Sequence, residues 1–388
     1  MYRQTVGKSD KYTILALLIF FIWLVICAIG CREPAADPLE CGPHQILSTD
    51  GQDCQCESGY HWNDDQTECL RDTTSHNFVW EIDSFGVSLS YFNNVTITDD
   101  GEIWAVGKIS NDSTYFGAIV WDGENWNIVQ LDGPTVSTPS LEPNAIKYFS
   151  ENDIWFAAGS IFHYDGLETN IIWQRDFYNS DESVTELWAH NENDIYFVGD
   201  EGTIVYWDGS SCEKLETPNY AKLISVSGSS DGEYVFAAGY DIMIPTNTTA
   251  LMIHEGVVEE LYYADYLRPQ SSSDLGAISS VSVWGDTAYF VTRQGLWKYN
   301  YLTEESIIDN GIYDYSYRAL MVQSPNDIYM VGGGFQYVHY NGAAWDHNNQ
   351  LFDEYDFSSN SGAFFRDTAV IVGYLLDGSR AIIAVGRR

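Results

Sequence analysis

The sequence predicts an all-β protein made of seven four-stranded sheets closed into a ring, and three observations carry that prediction. First, a short run of β-branched and aromatic residues recurs seven times. It closes at Gly107, Gly159, Gly199, Gly239, Thr292, Gly332 and Gly373, at spacings of 52, 40, 40, 53, 40 and 41 residues. Second, a companion run follows and ends in aromatic–Asp/Asn–Gly, as in Trp121-Asp-Gly123, Tyr164-Asp-Gly166, Trp207-Asp-Gly209 and Tyr340-Asn-Gly342. His254-Glu-Gly256 is a degenerate copy and Tyr299-Asn300 lacks the Gly. Third, helical periodicity is absent from the chain beyond its apolar start, while 32 Gly, 10 Pro and 15% aromatic residues suit many short strands and turns. A basal period of about 40 residues is that of a four-stranded blade, so the ring is a seven-bladed β-propeller.

Residues 191–209 show the unit most clearly. Asn193-Asp194 and Asp208-Gly209 are turn formers, because Asn and Asp bond their own backbone and Gly tolerates positive φ. Ile195 to Val198 and Thr203 to Trp207 have the residue types that fit a pleated sheet, and residues 199–202 join them as a hairpin. Each blade packs on two neighbours, so its strands are expected to be almost continuously apolar, as 154–158 and 369–372 are. The two long intervals hold insertions at 109–115 with 132–144, and at 240–249 with 264–276.

Taken in order, the chain opens with Arg3, Lys8 and Lys11, then an apolar run over 14–26. That run is short for a membrane span and has the length of a signal-peptide core. It ends in Ala28-Ile29-Gly30-Cys31, which resembles the lipobox of exported bacterial lipoproteins. The resemblance implies a signal peptide over 1–30 and a lipid on Cys31 that anchors the protein in a membrane outside the cytoplasm. Arg32 and Glu33 follow, with no Asp to suggest inner-membrane retention, so the outer membrane or cell surface is the expected location.

Cys41, Cys54, Cys56 and Cys69 sit together, and in an exported chain four clustered Cys read as two disulfides rather than a metal site. Cys54-x-Cys56-Glu-Ser-Gly59-Tyr60, followed after eight residues by Cys69, resembles the second half of an EGF-like module. That resemblance implies pairing of Cys56 with Cys69, leaving Cys41 for Cys54; the first disulfide of a full module is missing. The small module fills 31–76 with the lipidated start, and the propeller is expected over 77–388.

The propeller begins with an outer-type strand at 78–83 that has no blade before it, whereas 361–365, 368–374 and 381–386 supply only three strands at the far end. The economical solution is that 78–83 completes the last blade, which leaves no unpaired edge in the ring.

The net charge of −38, from 56 acidic and 18 basic residues, repels phosphate backbones and excludes nucleic acid as a partner. Much of the acid sits in turns. No calcium loop, His-Glu-x-x-His, phosphate-binding Gly loop or nucleophile elbow is present, and neither metal nor cofactor is expected. His163 and His339 hold the same place in two repeats, which argues for packing. The interblade connections share one face of the ring with the loops inside the middle hairpins, and they are rich in aromatics, including Tyr91, Phe92, Tyr263 and Tyr317. On that face Tyr178, Tyr220, Tyr266, Arg268, Tyr313, Tyr315 and Arg318 are the candidate ligand-binding residues, since loops free of packing duty are where a repeat scaffold places a specific site. The repeats are similar in rhythm to those of photosystem-assembly-factor propellers, a resemblance that implies architecture and not chemistry. The reading adopted is a monomeric, lipid-anchored propeller that binds or scaffolds a glycan or an envelope protein; the alternative is a glycan-acting transferase or hydrolase with carboxylates on the loop face. One consequence is direct. Cys31→Ala should abolish lipid labelling and block normal processing of the exported chain, and a variant still labelled and cut at the same site would refute lipidation there.

Overall fold

The computed structural model describes residues 41–388 except 49–52, 58, 64–65, 112–113, 134–139, 177–181, 242–246, 265–274, 310–316, 333–335 and 348–355. Cys31 and the apolar run before it lie outside the described residues. Two compact units divide at Leu70 and Arg71. In the first, Gln45–Leu47 pairs with Cys54–Cys56, and Tyr60–Trp62 with Cys69–Arg71. The disulfides are Cys41–Cys54 and Cys56–Cys69, the expected pairing. Among the described residues no helix is long and apolar enough to cross a membrane.

The second unit is the seven-bladed propeller. Blades 1 to 6 occupy residues 91–129, 145–173, 184–214, 225–264, 278–309 and 317–347, each a four-stranded antiparallel sheet in sequence order. Blade 7 is formed by Phe357–Phe365, Thr368–Leu375, Ala381–Arg387 and, as its outer strand, Val79–Phe85. The closing register runs from Arg387 opposite Val79 to Ala381 opposite Phe85. The closing strand therefore starts and ends later than 78–83. Phe78 stands outside it and packs into an aromatic cluster with Trp80, Tyr329, Tyr337 and Phe364.

The second strand of each blade is buried along its length, as in Ile195–Val198 and Val370–Val372, because it meets a neighbouring blade on both faces. Outer strands are only partly buried, since one of their faces meets solvent. At Gly107, Gly199, Gly239 and Gly373 the Gly that closes the second strand is required by close approach to a backbone carbonyl. A Cβ on Gly199 would lie 1.8 Å from the Ser183 carbonyl oxygen, and on Gly373 1.9 Å from that of Ser358.

The Asp/Asn of the aromatic–Asp/Asn–Gly repeats builds its turn with its own side chain. Oδ1 of Asp122, Asp165, Asp208, Asn300 and Asn341 each accepts two backbone N–H groups, two and three residues ahead. Asn300 does this without a following Gly. The His positions are structural, as their repetition argued. His163 Nε2 bonds Asp153 Oδ1 at 2.8 Å while its ring stacks on Trp155, and His339 Nε2 bonds Asp327 Oδ1 at 2.9 Å while stacking on Tyr329.

In blade 6 this pairing is extended into the lock of the ring. The Arg388 guanidinium reaches Asp327 Oδ2 at 2.7 Å and Tyr329 Oη at 2.9 Å, and lies over the Phe78 and Phe364 rings. Thr74 Oγ1 donates to Asp327 at 3.1 Å, and His76 Nδ1 lies 2.8 Å from His339 Nδ1. Residues before the closing strand, blade 6 and the end of blade 7 thus meet on one carboxylate. The Asp327 and Arg388 side chains are only 8% and 11% exposed.

Burial alone would raise the Asp327 carboxyl, but hydrogen bonds from His339, Arg388 and Tyr329 outweigh it and hold the group at about 2. Removing one partner of a buried ion pair strands the other charge, at a cost of about 3–5 kcal/mol. Asp327→Ala should therefore lower stability by that order in urea melts. Because the folded carboxyl titrates below the unfolded one, its contribution is complete above about pH 4 and is lost as the pH falls toward 2. Urea midpoints followed from pH 5 to pH 2 should fall steeply for the unaltered chain and more gently for Asp327→Asn.

Candidate functional site at the channel mouth

In a blade, the start of the inner strand and the end of the second strand lie at the interblade-loop end of the ring. Five inner strands carry a register shift there, between Phe92 and Asn94, Val184 and Glu186, Ile278 and Ser280, Tyr317 and Ala319, and Ser359 and Ser361. A bulge leaves one residue out of the ladder and turns its side chain away from the sheet. The residues left out are Asn93, Thr185, Ser279, Arg318 and Asn360. All are polar and only Arg318 is charged.

Three of these side chains, Asn93, Arg318 and Asn360, bond beyond their own blade. Asn360 Nδ2 donates to the Phe92 carbonyl at 2.8 Å, carrying blade 7 onto blade 1, and Asn93 Nδ2 donates to the Pro143 carbonyl at 3.0 Å, carrying blade 1 onto blade 2. Arg318 Nη1 donates to Asn360 Oδ1 at 2.7 Å. Deeper in the channel the same function falls to serines. The backbone N–H groups of Val281 and Val283 are received by Ser225 and Ser227, and those of Leu320 and Val322 by Ser280 and Ser282. Inner-strand edges that no sheet partner covers are satisfied in this way.

Glu186 follows the bulge of blade 3. Its Oε1 accepts from the Leu187 N–H at 3.0 Å, and its Oε2 accepts from Asn94 Nδ2 of blade 1 at 3.4 Å. Blade 2, between them, begins its inner strand with the small, buried Ala145. Burial pushes the Glu186 carboxyl up to about 8, outweighing the Leu187 N–H that opposes it.

Basic residues gather at this end of the ring: Lys108, Arg175, Lys222, Arg293, Arg318 and Arg380 all stand at interblade connections, middle-hairpin loops or the strand ends that join them. Lys108 pairs with Glu142 and Lys222 with Asp200, each at 2.8 Å. The opposite end carries the acidic turns, with Asp99, Asp100, Glu124, Glu151, Asp208 and Glu233 among them. Two clefts open between neighbouring blades at the rim. One, of about 720 Å³, lies between blades 1 and 2 against Trp104, Leu131 and Tyr164; the other, of about 630 Å³, lies between blades 3 and 4 against Tyr196, Tyr206 and His254. Among the described residues no three His, Cys, Asp or Glu side chains converge as metal ligands.

Of the residues proposed from sequence, Tyr220 stands on the interblade face at 79% exposure and Arg318 is the bulge residue of blade 6. Tyr178, Tyr266, Arg268, Tyr313 and Tyr315 lie outside the described residues. Four aromatics assigned to the connections belong elsewhere, Tyr91 among them as the first residue of the inner strand of blade 1. Phe92 and Tyr317 are buried inner-strand residues, and Tyr263 lies in the outer strand of blade 4. Asn93, Glu186 and Asn360 were not singled out by sequence reasoning; the available signal was a polar residue just inside an apolar strand start.

The second unit is thus a seven-bladed β-propeller whose five inner-strand bulges carry polar residues, one of them charged. No protein-family model matches the chain, and no curated protein does. Solved propellers resemble it. YCF48 bound to D1 peptide aligns with a TM-score of 0.58 at 13% identity, covering 82% of this chain and 97% of that one. A catalytically inactive virginiamycin B lyase from Staphylococcus aureus with quinupristin aligns at 0.56 and 12%, covering 79% and 99%. YCF48 from Cyanidioschyzon merolae aligns at 0.53 and 13%, covering 79% and 98%. At these identities the likeness establishes the fold.

The raised Glu186 carboxyl has a measurable consequence. A carboxyl that titrates higher folded than unfolded destabilises the fold progressively as the pH rises from about 4 to 8. Glu186→Gln should match the unaltered chain in melting temperature near pH 4 and exceed it increasingly up to pH 8. A constant difference across that range would place the carboxyl in water.

Proposed function

We propose that this chain is an exported, lipid-anchored envelope protein whose propeller is a binding module for a protein partner, received on the interblade-loop face. The observation that carries this reading is the division of the ring into two unlike ends. The turn end repeats one structural solution, Asp or Asn closing its own turn, in blade after blade. The interblade end differs from blade to blade, gathers basic residues of a chain with net charge −38, and presents Tyr220 to solvent. Tyr and Arg are the side chains that most often anchor protein interfaces. A propeller of this fold in complex with a peptide supports the reading, since it places a peptide within the reach of the architecture. Lipid on Cys31 would tether the module to a membrane, with the Cys-rich segment as a disulfide-stabilised spacer.

Two exposed side chains at opposite ends of the ring test the choice of face. Tyr220 stands at the interblade end, and Leu167, 91% exposed, stands in a turn of the other end. Each is replaced in turn by a photo-crosslinking phenylalanine analogue in the full chain, expressed in its envelope. Cross-links to a protein should form from position 220 and not from 167; the reverse pattern would put the partner on the turn face.

A further inference from the structure

We propose that Arg318 is the receptor for a single carboxylate carried by a peptide partner that enters the channel mouth. This deepens the interblade-face reading and rests on it.

Arg318 is held ready. Its Nη1 is fixed on Asn360 Oδ1 at 2.7 Å, and the Asn360 amide is itself oriented by donating to the Phe92 carbonyl at 2.8 Å. The guanidinium has no carboxylate partner among the described residues. Lys108, Lys214, Lys222, Lys298, Arg387 and Arg388 each have one. Lys147, Arg366 and Arg380 likewise show no carboxylate ion pair among the described residues, but of these cations Arg318 alone is a bulge residue at the channel mouth. Folding does not require it there, since the other four bulge residues are neutral: Asn93, Thr185, Ser279 and Asn360. Glu186 gives its acceptor atoms to Leu187 and Asn94.

The planar guanidinium fork matches a carboxylate with two parallel hydrogen bonds, and among the described residues none takes the donors not used on Asn360. The overall charge narrows the ligand further. A polyacidic tract would be repelled by a surface of net charge −38, whereas one carboxylate among neutral or aromatic residues meets little of that field beyond a Debye length of about 8–10 Å. The class is therefore an extended segment with one acidic side chain.

The experiment uses the full chain in detergent and two blocked pentapeptides, acetyl-Ala-Tyr-Glu-Tyr-Ala-amide and its Gln twin, titrated by calorimetry. The Glu peptide should bind at least about tenfold more tightly than the twin, and Arg318→Gln should erase that difference with an unchanged melting temperature. Arg318→Lys should keep part of it, and Asn360→Ala should weaken the Glu peptide about three- to fivefold by freeing the guanidinium to turn. Equal binding of the two peptides, or a preference that survives Arg318→Gln, overturns the carboxylate assignment while leaving the interblade face as a peptide surface. Failure of both peptides to bind also overturns it, and the cross-linking at position 220 then decides separately whether the face is the right one.

Discussion

A ring of sheets is stable only when closed, and closure here converges on the carboxylate of Asp327. The last blade borrows its outer strand from residues 79–85, almost the whole propeller away in sequence. Main-chain pairing alone would leave that seam no stronger than any other strand edge. The carboxylate adds hydrogen bonds from Thr74, His339 and Arg388, which arrive from three separate stretches of chain. Around it, Phe78, Trp80, Tyr329, Tyr337 and Phe364 exclude water, and in that setting ionic hydrogen bonds are strong but depend on complete pairing. Trp80 needs its place above Gly386, where a Cβ would come within 2.8 Å of the indole.

The same difficulty recurs in milder form at every blade, because an inner strand has a sheet partner on one edge only. Two devices answer it. Serines of blades 4 and 5 receive the bare N–H groups of the next blade, and bulge asparagines of blades 7 and 1 bond carbonyls of the next. The second device places a polar ring at the channel mouth as a by-product of satisfying the backbone. A binding site needs only one departure from that ring, and Arg318 is the departure.

Much of this architecture was legible in the sequence because it is local. Gly199 and Gly373 recur because a neighbouring carbonyl occupies the space of a Cβ, and Asp122, Asp165 and Asp208 recur because each closes a turn within its own hairpin. The unmatched strand near residue 80 was legible because three strands stood without a fourth. What could not be read depends on register between blades. Ser225 and Ser280 look like weak strand residues until the next blade's N–H is placed beside them. Glu186 is one of 56 acids until Ala145 is seen to leave room for it to reach Asn94. Phe92 and Tyr317 were read as loop aromatics because sequence does not separate the last residue of a connection from the first of a strand; burial does.

Repeat proteins that end openly behave as one-dimensional stacks, in which the outermost units loosen first and unfolding travels inward. Joining blade 7 to residues 79–85 removes the outermost unit altogether. Every blade then has two neighbours, and none can fray without breaking an interface that is buried on both sides. Local opening of a single blade becomes as costly as opening the ring, so hydrogen-exchange protection should be nearly uniform around the circle instead of graded along the chain. The cluster on Asp327 then sets the cooperativity of all seven blades, including those that never touch it.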